Sequence, residues 1–189
     1  MTSRVVVALR VAASPERAFE VFTAEIGAWW RPNDFFRFTP RDPGVLSFER
    51  GEGGRLVETL ASGKVFEIGR IRVWSPPSRL VFGWRQATFA PDQDTEVEVR
   101  FEPAGAETRV TVEHAGWEAI PQMHVAKHHF PNHVFLQRHG EWWRGLLEAF
   151  KLRAGGGAVA AHNVLGQCIH PCSPRSALYD ASSRCHHSP

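Results

Sequence analysis

Gly69-Arg-Ile-Arg-Val-Trp-Ser-Pro-Pro-Ser-Arg-Leu-Val-Phe-Gly-Trp84 decides how this chain is read. Two apolar-rich runs flank Pro76-Pro77, and neither run holds a helical period. The stretch therefore reads as a β-hairpin whose turn is set by the prolines. Ile71 and Val73 on the first strand, and Leu80, Phe82 and Trp84 on the second, fall on the inner face by parity. Glu67 shares that parity, unless a bulge at Gly69 reverses it.

Working outward, residues 45–50, 54–61 and 64–74 read as strands joined by Gly-containing turns, and 79–86 follows the prolines. Residues 95–102 alternate most cleanly, with Val97, Val99 and Phe101 against Glu96, Glu98 and Arg100. Ala104-Gly105-Ala106 turns into 108–115, where Val110, Val112 and His114 share a face. Residues 4–13 supply a first strand. Ser14-Pro15-Glu16 opens a helix, with Ser14 as N-cap and Pro15 at its first position. A second short helix spans Glu25 to Trp30. Residues 118–131 are an irregular, His-rich connection. From about Asn132 to Arg153 a long amphipathic helix gathers Phe135, Trp142, Trp143, Leu146 and Phe150 on one face. Glu141, Arg144, Glu148 and Lys151 lie opposite. The links between strands are short, so the sheet should be antiparallel. Its inner face needs a cover, and the last helix is the natural one.

Composition narrows the function. Among 189 residues there are 13 Phe and 7 Trp but a single Tyr, which suits a bulky core or a pocket with aromatic walls. The net charge is +2 with acids and bases interleaved. That argues against electrostatic binding of nucleic acid. No apolar run approaches the ~18 residues of a membrane-spanning helix. The start of the chain lacks a leader's apolar stretch, which predicts a cytoplasmic location. Cys168, Cys172 and Cys185 all lie near the C-terminus, so disulfides do not hold the body together. From Gly155-Gly-Gly onward no period persists. This predicts one domain over residues 1–153 and a disordered tail over 154–189.

An ordered set of motifs resembles one family. It comprises Ala13-Ser-Pro-Glu-Arg-Ala-Phe19, Trp29-Trp30, Gly53-Gly-Arg-Leu-Val-Glu58, the hairpin from Gly69, Thr95 to Phe101, Thr108 to His114, Gly116-Trp117-Glu118 and Trp142-Trp143. Over residues 3–153 the chain resembles the START-like (SRPBCC) superfamily. Within it, the chain is similar to bacterial homologues of the C-terminal domain of the heat shock protein 90 ATPase activator. The resemblance implies an α+β helix-grip (START/Bet v-like) fold. In it a curved antiparallel sheet wraps the C-terminal helix, with two short helices after the first strand and an internal cavity.

Inward polar groups are the candidates for chemistry. Glu58 shares a face with Leu56 and Leu60. It is either a strand-end charge turned to solvent or a carboxylate in the cavity wall. His139 lies within the apolar arc of the helix, as a bonded core histidine or a functional one. Glu58, His114 and His139 together can form a general acid/base set. The candidate cavity residues are Trp30, Phe48, Glu58, Ile71, Phe82, Trp84, His114, His139, Trp142 and Trp143. His124, His128, His129 and His133 give two i, i+4 pairs, but Pro131 interrupts the second and no carboxylate lies at the spacing of a metalloprotease motif, so no metal is expected. The cysteine–histidine cluster near the C-terminus fits no standard zinc spacing. No cofactor is expected.

Three functions compete. The first is binding of an apolar or aromatic small molecule by a carrier, sensor or stress-related protein. The second is a polyketide cyclase/dehydratase-like enzyme using the acid/base set. The third is a chaperone-associated protein, which an exposed apolar patch at Trp29, Trp30 and Phe35 would favour. A homodimer is compatible with any of them.

Overall fold

A computed structural model describes residues 3–33, 36–39 and 43–162, with side chains described as far as residue 156. The element order is β1 (Arg4–Val11), α1 (Pro15–Ala24), α2 (Ile26–Trp29), β2 (Val45–Phe48), β3 (Arg55–Thr59), β4 (Val65–Ser75), β5 (Arg79–Trp84), β6 (Thr95–Ala104), β7 (Glu107–Ala115) and α3 (Asn132–His162). The seven strands form one sheet in the order β1-β7-β6-β5-β4-β3-β2, each pair antiparallel. The sheet curls into a half-barrel around α3, which is the helix-grip architecture expected from the sequence.

Local chemistry accounts for the elements. The Ser14 hydroxyl accepts from the Arg17 N–H at 3.3 Å and caps α1 ahead of Pro15. On α3 the buried positions are Phe135, His139, Trp142, Trp143, Leu146, Leu147, Phe150 and Ala154. Steps of three and four residues keep them on one stripe facing the sheet. Gly140 brings α3 against β1, because a Cβ there would lie 3.4 Å from the Val5 side chain. The Glu25 carboxylate binds Arg17 at 2.8 Å and Arg153 at 2.5 Å, which ties α1 and α2 to α3.

Two bulges curve the hairpin strand β4. The register with β3 shifts between Leu56 and Val57, and the register with β5 shifts between Ile71 and Val73. Each shift flips side-chain parity. Ile68 therefore points inward, and Glu67 faces out to pair with Arg55 and Arg70. Val73 does not hold the inner position expected from parity. It is half-buried, and Trp74 beside it packs edge-to-face on Phe19 at 5.2 Å. Gly69 lets the β5 backbone come close, because a Cβ there would sit 1.8 Å from the Gly83 carbonyl oxygen.

The last helix also differs from expectation, running through the glycines to His162 and not stopping at Arg153. Each helical glycine costs only about 1 kcal/mol. Ala154 is fully buried and Gly155 rests against Ala12, so packing continues past the expected stop. The part of the expected tail beyond His162, with its cysteines, lies outside the described residues, as does Phe35.

Candidate functional site

The space between sheet and helix is filled by aromatic rings. Trp30, from the end of α2, lies 5.7 Å from both Phe38 and Trp84 and 5.5 Å from Trp142, centroid to centroid. Phe36 lies 4.8 Å from His139 and 4.7 Å from Trp142. Phe38 lies 4.6 Å from Trp84. These rings take up much of the space in which the family resemblance implies a cavity. Beside Glu58 only about 10 Å³ remains, lined by Trp30, Phe36, Phe38, Leu46 and Gly44 among others. That is the room of one water at most. Trp30, Phe36 and Phe38, contributed by the α2–β2 connection, occupy the place a ligand would take.

Of the expected cavity residues, Trp30, Trp84, His114, His139, Trp142 and Trp143 form one ring cluster. Phe82 extends it from Trp84 to Phe48, and Ile71 pairs with Phe82 across the sheet. Glu58 points inward and is 3% exposed. Its Oε1 accepts from the Gly44 N–H at 2.9 Å. It is not a partner of either histidine, so the proposed three-residue acid/base set is not assembled.

His114 and His139 are joined directly. His139 Nε2 lies 2.9 Å from His114 Nδ1, and the Trp143 indole N–H donates to the same Nδ1 at 3.2 Å. On the far side, His114 Nε2 lies 2.8 Å from the Thr95 hydroxyl, whose proton goes to the Trp84 carbonyl at 3.0 Å. Complete burial pushes both imidazoles toward the neutral form. It lowers His139 from 6.5 to about 3, and His114 well below 6.5 with a further contribution from His139. Neutral histidines in this setting position hydrogen bonds and are poor proton carriers near pH 7.

Several buried polar atoms have no hydrogen-bond partner among the described residues: Thr39 Oγ1, Glu58 Oε2, Trp84 Nε1, Trp117 Nε1, His139 Nδ1 and Trp142 Nε1. Most border the ring cluster. Unpaired buried polar groups are few in native domains, and each costs about 1–3 kcal/mol.

Sequence reading missed Phe36, Phe38, Thr95 and Trp117 as parts of this cluster. Thr95 shares parity with Val97, Val99 and Phe101, a signal that identifies it. Phe36 and Phe38 follow Pro32 in an irregular segment, where no period marks an inward face.

Elsewhere, an open groove of about 720 Å³ runs between α1 and the β4–β5 turn, bordered by Arg17, Phe19, Arg50, Trp74 and Pro76. Arg17 on its rim is engaged by Glu20 and Glu25. In the His-rich connection, His124 caps the Ala126 N–H and contacts the Thr88 carbonyl. Buried Lys127 donates to the Ile120 carbonyl at 2.6 Å and to Asn132 Oδ1 at 3.0 Å, and burial lowers its pKa. Among the described residues no group of three or more His, Cys, Asp or Glu could hold a metal ion. No described helix is long and apolar enough to cross a membrane.

The half-barrel gripping a long C-terminal helix defines the START-like class. Residues 12–151 match the model of the family described as activator of Hsp90 ATPase homolog 1-like protein, and the chain belongs to that family. No curated protein sequence matches it. Among solved structures it is similar to the Aha1 dimer from Colwellia psychrerythraea, with a TM-score of 0.56 and 15% identity over 82% of this chain and 97% of that one. An HSP90 activator from Plasmodium falciparum gives a TM-score of 0.56 and 16% identity over 81% and 96%. A protein of Mesorhizobium loti gives 0.55 and 17% over 86% and 99%. At these identities the likeness shows the fold.

Proposed function

We propose that the protein binds a small, flat, aromatic or apolar molecule in the interior between sheet and α3, with Trp30, Phe36 and Phe38 as a displaceable cover. One observation carries this reading: the partnerless polar atoms of Glu58, Trp84, His139 and Trp142 sit within the aromatic shell behind those three rings. A region selected only for stability would pair or omit them. Because Trp30, Phe36 and Phe38 pack directly on the inner rings, binding among those rings requires the cover to move, and this favours a carrier or sensor over an enzyme with a standing active site. Native mass spectrometry of freshly purified protein, with extraction and identification of any adduct, tests the reading. A stoichiometric aromatic adduct supports it. An adduct-free protein that also leaves every indole N–H signal unmoved across a panel of flat aromatic probes contradicts it.

A second reading is contact with an Hsp90-type ATPase, in the cytoplasm. Family membership and the likeness to an HSP90 activator support it. Of the surface marker expected for it, Trp29 and Trp30 are 1% and 8% exposed, and Phe35 lies outside the described residues. A coupled ATPase assay with an Hsp90 separates the two: stimulation supports the second reading, and an unchanged rate removes it. The solved dimer among its structural neighbours makes self-association a companion question for light scattering.

A further inference from the structure

The hydrogen-bond directions around His114 are determined by its partners. Trp143 Nε1 can only donate, so His114 Nδ1, 3.2 Å away, carries no proton. Thr95 has spent its single hydroxyl proton on the Trp84 carbonyl, so it accepts from His114 Nε2–H. Both contacts give the same tautomer. His139 Nε2 must therefore be the donor to His114 Nδ1. In neutral His139 that leaves Nδ1 as a bare acceptor, fully buried and without a partner. Glu58 Oε2 is a second bare acceptor, and the indole N–H groups of Trp84 and Trp142 are unmet donors.

Phe36 connects this chemistry to the surface. Its ring lies against both His139 and Trp142. The same residue lines a groove of about 190 Å³ with Asn33, Phe130, Arg138, Glu141 and Trp142. A molecule reaching the interior from this groove has to take the place of the Phe36 ring.

We propose, resting on the interior-binding reading above, that the site selects the phenol class: an aromatic ring replaces that of Phe36, and its hydroxyl donates to His139 Nδ1. The hydroxyl oxygen is then available to the N–H of Trp142, whose ring lies 5.2 Å from that of His139. A hydrocarbon of the same shape leaves both unmet. An aromatic carboxylate offers no proton to Nδ1. Sites built around an unmet polar group reject isosteres that lack the matching one.

The test compares phenol with toluene, its near-isostere without a donor, on the wild type and on Phe36→Ala, which leaves a ring-sized space. Indole N–H signals in proton–nitrogen spectra give the affinities, and signal dispersion confirms folding. Phenol is expected to bind Phe36→Ala at least about tenfold more tightly than toluene. In Phe36→Ala/His139→Phe that preference should collapse while toluene still binds. Phe36→Ala/Trp142→Phe keeps the ring, removes the N–H, and should lower phenol affinity alone. Equal binding of the two probes, or a preference that survives loss of His139, overturns the phenol assignment and leaves interior binding standing. Failure of both probes to bind both the wild type and Phe36→Ala overturns the assignment together with the reading beneath it.

Discussion

Trp29 and Trp30 are neighbours in sequence and open onto two different ends of one core. Trp29 faces a dry end, with Phe22 at 5.0 Å and Phe150 at 5.4 Å, and its indole N–H is bound to the Val21 carbonyl at 2.9 Å. Phe22 also meets Phe101 at 5.7 Å there. Trp30 faces the other end, where Trp84, Trp142, His139 and Glu58 bring polar atoms into the packing and leave several unpaired. Aromatic rings pack at both ends. What separates them is hydrogen bonding: one end is complete, and the other holds capacity that the chain does not use.

If the dry end carries the stability, truncation there should cost most. Phe150→Ala, at a fully buried position, should lose about 3–5 kcal/mol in urea unfolding. The histidine end should instead show itself through pH. Both imidazoles have folded pKa values below the unfolded 6.5, so the unfolded chain binds more protons as pH drops. Their contribution is complete above pH 6.5 and is lost as pH falls below it, in the case of His139 toward about 3. The unfolding free energy from urea titrations should decline as pH falls below 6.5, at up to about 1.4 kcal/mol per pH unit for each histidine. His139→Phe should flatten the decline. A curve equally steep in that variant would remove the histidines as its cause.

Phe36→Ala should cost less than half of what Phe150→Ala costs, because Phe36 belongs to an irregular connection that can relax into the gap. Equal losses would make the two ends alike and Phe36 a core residue. The smallest effect belongs to Glu58→Gln. It retains an acceptor for the Gly44 N–H and replaces a partnerless carboxylate oxygen, so stability should change by no more than about 1 kcal/mol. A loss of several kcal/mol would mean that the charge itself holds this end together.

The two ends were not equally legible in the sequence. Alternation placed Val97, Val99, Phe101, Val110 and Val112 inside, and helical spacing placed Phe135, His139, Trp142 and Trp143, because regular elements convert spacing directly into facing. Parity failed at Val73, where a bulge re-aims the strand, and at Glu67, whose reversal needed the Gly69 region to kink. Phe36 and Phe38 had no periodic frame, so nothing in their spacing announced that they fill the interior. An aromatic-rich composition is compatible with an open pocket and with a filled one. Only tertiary packing distinguishes them.

The unequal ends are tested most directly by the indole N–H resonances of the seven tryptophans on addition of a flat aromatic hydroxyl compound. The signals of Trp84 and Trp142 should move, and that of Trp29, already bonded to Val21, should stay in place. Movement of Trp29 alone, or no movement of any indole signal at saturating probe, would contradict a binding site at the histidine end.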